Sequence, residues 1–268
     1  FENDHRLYAK MGEVKDKNIG QSFFYEHKDS DICIINVHGF SAAPKEMQEL
    51  SLYLYEKGFS VYAPRLRGHG TSPLDLKTRT WQEWYLSLSR AIAIATLKYK
   101  KVYIVGFSTG GLLALLSTKK CYIEFAGVVC INAALHLNDV RIKALPALSF
   151  WNDLVNAFNA NEYAKEFVEN LAENPDINYD KFYIKAIEQL SALMHKTKKN
   201  IPMIQSPILI IQSKNDPVVS PSSAYEIYDK IKSKRKNILL LDLDNHVIVK
   251  GEDTKELFTS IHKFIAKS

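Results

Sequence analysis

Cysteine is scarce in this 268-residue chain: Cys33, Cys121 and Cys130 are the only three, and none stands in C-x-x-C spacing. An odd, sparse set excludes a disulfide framework and argues against a cysteine zinc site. It is the usage of buried thiols in a reducing compartment, so a cytoplasmic location is expected. The chain begins at Phe1 and not at Met, which leaves room for a trimmed upstream signal or anchor. Long apolar runs are missing too: none approaches the ~18 residues of a membrane helix, and no stable membrane insertion is expected. Nor is there a strong excess of one charge, with 35 basic residues against 30 acidic and a net charge of +5. Two lysine-rich patches, "HKTKKN" at 195–200 and "DKIKSKRKN" at 229–237, lack the interleaved aromatics of a base-stacking platform. They read as solvated helix faces or loops, and no nucleic-acid partner is expected. Internal repeats and low-complexity tracts are absent.

What the chain does have is a hydrophobic content of 46% and a length suited to one domain, or one domain with an insertion. Strand-like runs such as "ICIINVHG" (32–39), "KVYIVGF" (101–107), "FAGVVCINA" (125–133) and "PILIIQS" (207–213) alternate with helical patterns. Several of these runs are continuously apolar, as expected of strands covered by helices on both faces. The alternation predicts an α/β architecture with a mostly parallel, doubly wound sheet. Between 135 and 205 the rhythm breaks into helical patterns with no convincing strand, which predicts an inserted helical cap. The expected organisation is a core of 20–134 and 206–268, a cap of 135–205, and a polar surface arm of 1–19.

The most informative stretch is "VYIVGFSTGGLLALLS" (102–117), a short apolar run, a glycine-rich turn and an apolar helix. Gly106-Phe107-Ser108-Thr109-Gly110 fits G-x-S-x-G, in which a tight strand-to-helix turn presents a strained serine at the carboxyl edge of the sheet. The helix N-terminus beside it favours developing negative charge. A serine capping a helix would look similar over these five residues alone. A serine nucleophile needs a base and an orienting acid, in the chain order Ser, Asp or Glu, His. His246 meets that order, in a loop after a late strand-like run. His38 and His69 precede the serine and read as turn-shaping residues, and His262 lies within the last helix. Asp216, in "QSKNDPVVSP", is the favoured acid over Asp242 and Asp244, which lie too near His246 in sequence to reach across to its ring. An oxyanion site on such a fold takes one N–H from the residue after the nucleophile, here Thr109, and a second from a loop after an early strand. The loop "NVHGFSAAP" (36–44) offers Phe40.

Taken together, "NVHGFSAAPKEMQELSLYLYEKGFSVYAPRLRGHGTSP", "VGFSTGG", "QSKNDPVVSP" and "DNHVIVKGED" resemble the α/β-hydrolase superfamily, and within it the bacterial carboxylesterase and monoacylglycerol lipase group. The resemblance covers roughly residues 20–268. It implies a triad of Ser108, Asp216 and His246, oxyanion donors at Phe40 and Thr109, no metal or organic cofactor, and a small-molecule ester with an apolar acyl group as partner. Short to medium acyl chains are expected. A cinnamoyl-type esterase or an acyltransferase with the same triad is the alternative, followed by a non-enzymatic hydrolase scaffold. A dehalogenase or epoxide hydrolase on this fold would need Asp at position 108. Two departures stand out, Thr109 where the group usually has Met and Asn245 where Gly is usual. In the cap, Leu145, Leu148, Phe150, Trp151, Leu154, Phe158, Phe167, Phe182 and Tyr183 are the apolar residues from which packing and an acyl slot would be drawn.

Overall fold

The computed structural model describes residues 1–11, 14–118, 124–138 and 166–267. The strands are β1 (Phe23–Tyr25), β2 (Ile32–Val37), β3 (Ser60–Ala63), β4 (Lys101–Phe107), β5 (Gly127–Ile131), β6 (Phe167–Glu169), β7 (Lys181–Tyr183), β8 (Ile208–Ser213) and β9 (Lys236–Leu241), and the central ones, β2, β4, β5 and β8, form where the apolar runs are continuous. Seven of them make one sheet in the order β1-β3-β2-β4-β5-β8-β9. Only β1 runs antiparallel to its neighbour; the other five pairings are parallel. Helices α1 (Glu2–Ala9), α2 (Lys17–Gly20), α3 (Gln48–Glu56), α4 (Pro73–Lys77), α5 (Trp81–Lys98), α6 (Thr109–Ser117), α7 (Ile184–Asn200), α8 (Ser222–Lys230) and α9 (Lys255–Ala266) connect and cover it.

Alternate residues of each central strand enter different apolar clusters. Cys33, Ile35 and Val37 of β2, Val102 and Ile104 of β4, and Ile208 and Ile210 of β8 pack with α5, α6, α7 and α8. Ile34, Tyr103, Val105, Leu209 and Ile211 pack with α3 and α9 on the other face. A two-residue period thus persists inside runs that look unbroken, because both faces are dry. On α9 the buried residues Leu257, Phe258, Ile261, Phe264 and Ile265 recur at helical spacing. Helix α6 is buried along its whole length. The long α5 starts on a capping box: Thr80 Oγ1 accepts from the Glu83 N–H and Glu83 Oε2 accepts from the Thr80 N–H. Cys33 and Cys130 are buried free thiols, and Cys121 lies outside the described residues. Among the described residues, no helix is long and apolar enough to cross a membrane.

Two expectations need correction. The stretch 1–19, expected as a polar surface arm, carries α1 and α2, buries Tyr8 and Ile19, and brings Asp4 to 2.6 Å from Arg65. An eight-residue helix is marginal alone, so this one depends on docking that a polar sequence does not advertise. The 135–205 segment also holds two short strands, β6 and β7, paired antiparallel through Phe167–Tyr183, Val168–Phe182 and Glu169–Lys181. Three-residue strands show no readable period. The helical pattern expected across 139–165 lies outside the described residues.

Candidate active site

Ser108 sits between β4 and α6 with φ 54° and ψ −116°, a strained conformation for any residue but glycine. The glycines on either side are sterically required. A Cβ on Gly106 would lie 2.2 Å from the Gly110 carbonyl oxygen, and one on Gly110 would lie 2.2 Å from the Val37 carbonyl oxygen. Although Ser108 occupies the N-cap position of α6, its side chain makes no capping hydrogen bond. The hydroxyl lies instead 3.1 Å from His246 Nε2.

His246 lies in the loop after β9, and its Nδ1 is 2.7 Å from Asp216 Oδ2. Asp216 follows β8 and is buried; its other oxygen, Oδ1, accepts the Val218 and Val219 N–H groups at 2.8 Å each. A carboxylate at Nδ1 places the imidazole proton there and turns the Nε2 lone pair toward Ser108. The rival acids are engaged elsewhere. Asp244 accepts from Asn215 Nδ2 at 2.7 Å, and Asp242 is exposed beside Lys214.

The His246 backbone is gripped at both ends. Its N–H reaches both carboxylate oxygens of Glu173, at 3.0 and 3.1 Å, and the Val247 N–H donates to the same side chain at 2.8 Å. Its carbonyl accepts from Asn132 Nδ2 at 2.8 Å, while Asn132 Oδ1 accepts the Ser213 N–H at 2.8 Å. Asn132 is fully buried at the end of β5 with φ 43°, a region asparagine tolerates better than most residues. Neither Asn132 nor Glu173 was found from the sequence, since neither has a spacing relation to Ser108, Asp216 or His246.

Phe40 and Thr109 border the same cavity as Ser108 and His246, and among the described residues neither backbone N–H donates a hydrogen bond. The Gly39–Phe40 peptide is oriented by His38, whose Nδ1 donates to the Gly39 carbonyl at 2.9 Å while its Nε2 accepts the Leu66 N–H at 3.2 Å. Burial pushes the His38 imidazole down to about 4, so it stays neutral and keeps both roles near neutral pH. Because N–H and C=O oppose each other across a trans peptide, fixing the Gly39 carbonyl fixes the Phe40 N–H.

The cavity measures about 500 Å³ and is largely apolar, with Phe40, Leu137, Phe182, Leu190 and Val218 among its walls. Of the apolar cap residues, Phe182 lines it, Phe167 is exposed and Tyr183 is buried; Leu145, Leu148, Phe150, Trp151, Leu154 and Phe158 lie outside the described residues. One stretch, 173–179, spans the site. Beyond Glu173, Asn174 Oδ1 accepts from Lys250 Nζ at 3.0 Å and Asn178 Nδ2 donates to Ser41 Oγ at 3.3 Å. The Tyr179 N–H donates to the Ser41 carbonyl, and its hydroxyl accepts the Thr71 N–H and donates to the Gly68 carbonyl. Among the described residues, no cluster of three or more His, Cys, Asp or Glu side chains is arranged to hold a metal ion.

The model of the family described as serine aminopeptidase, S33 matches residues 28–253. The chain is 30% identical over 251 residues to a thermostable monoacylglycerol lipase of Bacillus sp. strain H-257, covering 92% of this chain and 95% of that one. It is 23% identical over 245 residues to a carboxylesterase of Bacillus subtilis strain 168, covering 91% and 96%. A solved structure reported with the metagenome-derived lipolytic enzymes LipS and LipT superposes with a TM-score of 0.81 at 27% identity, over 93% of this chain and 98% of that one.

Proposed function

Since the chain belongs to the serine aminopeptidase S33 family and has the α/β-hydrolase fold, we propose that it hydrolyses carboxylic esters through an acyl-enzyme on Ser108. The observation that carries this reading is the continuous line from Asp216 through His246 to Ser108, at 2.7 and 3.1 Å, beside the Phe40 and Thr109 N–H groups, which donate no hydrogen bond among the described residues. His246 Nε2 takes the Ser108 proton as Oγ attacks the ester carbonyl, and Asp216 stabilises the imidazolium that forms. The carbonyl oxygen, now an oxyanion, is held by the Phe40 and Thr109 N–H groups. Each such donor accounts for ~3 kcal/mol of transition-state stabilisation. As the tetrahedral species collapses, the bond to the alcohol breaks and His246 returns the proton to the leaving oxygen. Water then repeats the sequence and releases the acid.

The monoacylglycerol lipase and carboxylesterase relatives support an ester as substrate. The apolar cavity favours an apolar acyl group of short to medium length, with the 135–205 segment as the cap that shapes it. A p-nitrophenyl ester series from acetyl to long-chain, with a feruloyl ester and an aminoacyl p-nitroanilide alongside, tests the reading. Turnover of the shorter esters by the wild type and its loss in Ser108→Ala are expected. No ester turnover, equal turnover by Ser108→Ala, or faster cleavage of the anilide than of every ester would overturn it.

A further inference from the structure

One buried acid has no part in the mechanism so far. Glu46 lies in the 3₁₀ turn Pro44–Met47, seven residues beyond Gly39, and is 1% exposed. It makes no ion pair among the described residues; its Oε2 accepts the Gly39 N–H at 2.8 Å. A carboxyl group is costly to bury without a cation, and an acid on a short helical turn would ordinarily face water. Here it packs beneath the oxyanion loop. A Cβ on Gly39 would lie 3.3 Å from Glu46 Oε2 and 3.4 Å from the Phe107 ring. That same ring lies 4.9 Å from the His246 imidazole. Glu46 and His38 therefore hold the two peptide groups flanking Gly39: Glu46 the N–H of one, His38 the carbonyl of the other.

We propose that Glu46 is a positioning residue for the oxyanion site, locking Gly39 so that the Phe40 N–H faces the cavity and setting a carboxylate behind His246. This inference rests on the ester-hydrolase reading, in which the Phe40 N–H receives the oxyanion. Burial raises the Glu46 carboxyl to about 7, against the Gly39 N–H and the charges of His246 and Lys250, which lower it. The group thus changes charge near neutral pH. Among the described residues, Lys45 on the same turn is half-buried and makes no ion pair with Glu46, and charged groups on neighbouring elements are neutral, partnered elsewhere or exposed. His38 is neutral there, Lys17 of α2 pairs with Glu2, Glu49 of α3 accepts the Gly251 N–H, and Glu56 of α3 is exposed. As pH rises through about 7, the carboxylate grips the Gly39 N–H more strongly, because charged acceptors make the stronger hydrogen bonds. It also favours the imidazolium that His246 becomes in the transition state. Activity should therefore rise with the ionisation of Glu46, in addition to any other group on which turnover depends.

The test is kcat and kcat/KM for a p-nitrophenyl ester from about pH 5 to about pH 9, with wild type, Glu46→Gln and Glu46→Ala, each checked by thermal melting. Glutamine keeps an acceptor for the Gly39 N–H but cannot ionise. It should leave KM unchanged, lower kcat roughly fivefold above neutral pH, and remove one proton from the acid limb. Alanine should lower kcat about tenfold further, because the loop loses its anchor. A Glu46→Gln profile superimposable on wild type in slope and midpoint would overturn the inference, as would equal losses in both variants with the wild-type profile shape intact. Should neither variant fold, a wild-type acid limb with no ionisation at about 7 would refute it alone. If the wild type shows no Ser108-dependent turnover, the functional reading falls and takes the inference with it; if turnover is present, the profiles judge the inference separately.

Discussion

Replacing Asn132 separates hydrogen bonding from backbone strain at a single position. Asn132→Ala leaves the His246 carbonyl and the Ser213 N–H without their partners in a site with no exposure at positions 132 or 213. Each buried group left unpaired costs ~1–3 kcal/mol, so the pair costs roughly 4 kcal/mol. Alanine must also adopt the positive φ of 43°, which adds about 1 kcal/mol. Unfolding entropies near ~2.1 cal/mol/K per residue make each kcal/mol about 2 °C of Tm for 268 residues, so Asn132→Ala should melt roughly 10 °C lower. Asn132→Gly loses the same hydrogen bonds without the strain and should recover about 2 °C, less whatever glycine costs in chain entropy. With its carbonyl released, His246 should drift from Ser108, and kcat should fall about tenfold in both variants while KM changes little. Calorimetry and steady-state kinetics on an activated ester are the assays. Melting within about 1 °C of wild type with unchanged kcat would refute the assignment of these bonds as supports of the histidine loop.

Other substitutions probe different parts of the site. Asp216→Asn should lower kcat ~10⁴-fold with the protein still folded, because an amide at Nδ1 no longer fixes the imidazole tautomer; near-wild-type kcat would transfer the role to another acid. Glu173→Ala should shift stability by less than ~1 kcal/mol, since water can replace an exposed carboxylate on backbone N–H groups. It should nonetheless slow kcat about tenfold, with Glu173→Gln partly restoring it. Gly110→Ala places a methyl group against the fixed Val37 carbonyl and should destabilise by ~3 kcal/mol or more, read as a lowered urea midpoint.

The parts of this molecule legible in its sequence are those governed by local rules. Continuous apolar runs became parallel strands because both sheet faces are covered. The glycines at 106 and 110 marked a turn that admits no side chain. Ser108, Asp216 and His246 stood out because each follows a strand at the same edge, and the structure brings the three within hydrogen-bond distance. Asn132, Glu173 and Glu46 were silent for a common reason. Each acts on a backbone group of a residue distant in sequence or across a loop, and neither periodicity nor motif spacing encodes such a partner. Glu46 in particular sits in an amphipathic pattern as an ordinary surface acid, and only tertiary packing buries it. The amino-terminal helix and the β6–β7 pair were hidden differently: both are too short to carry a pattern and exist through what they dock against.

The reach of residues 173–179 has a consequence for how such a protein can diversify. The same few residues border the cavity, anchor the histidine loop through Glu173, and hold the oxyanion loop through Asn178 and Tyr179. Selectivity and turnover are therefore inherited together. A chimera that exchanged all of 135–205 for a foreign insert would alter preference and also cut the tethers of both loops. One that exchanged 135–165 and kept 166–205 would preserve the tethers. Laboratory recombination between relatives should accordingly find its active hybrids with crossovers before Phe167, and its folded but sluggish ones with crossovers after Tyr183.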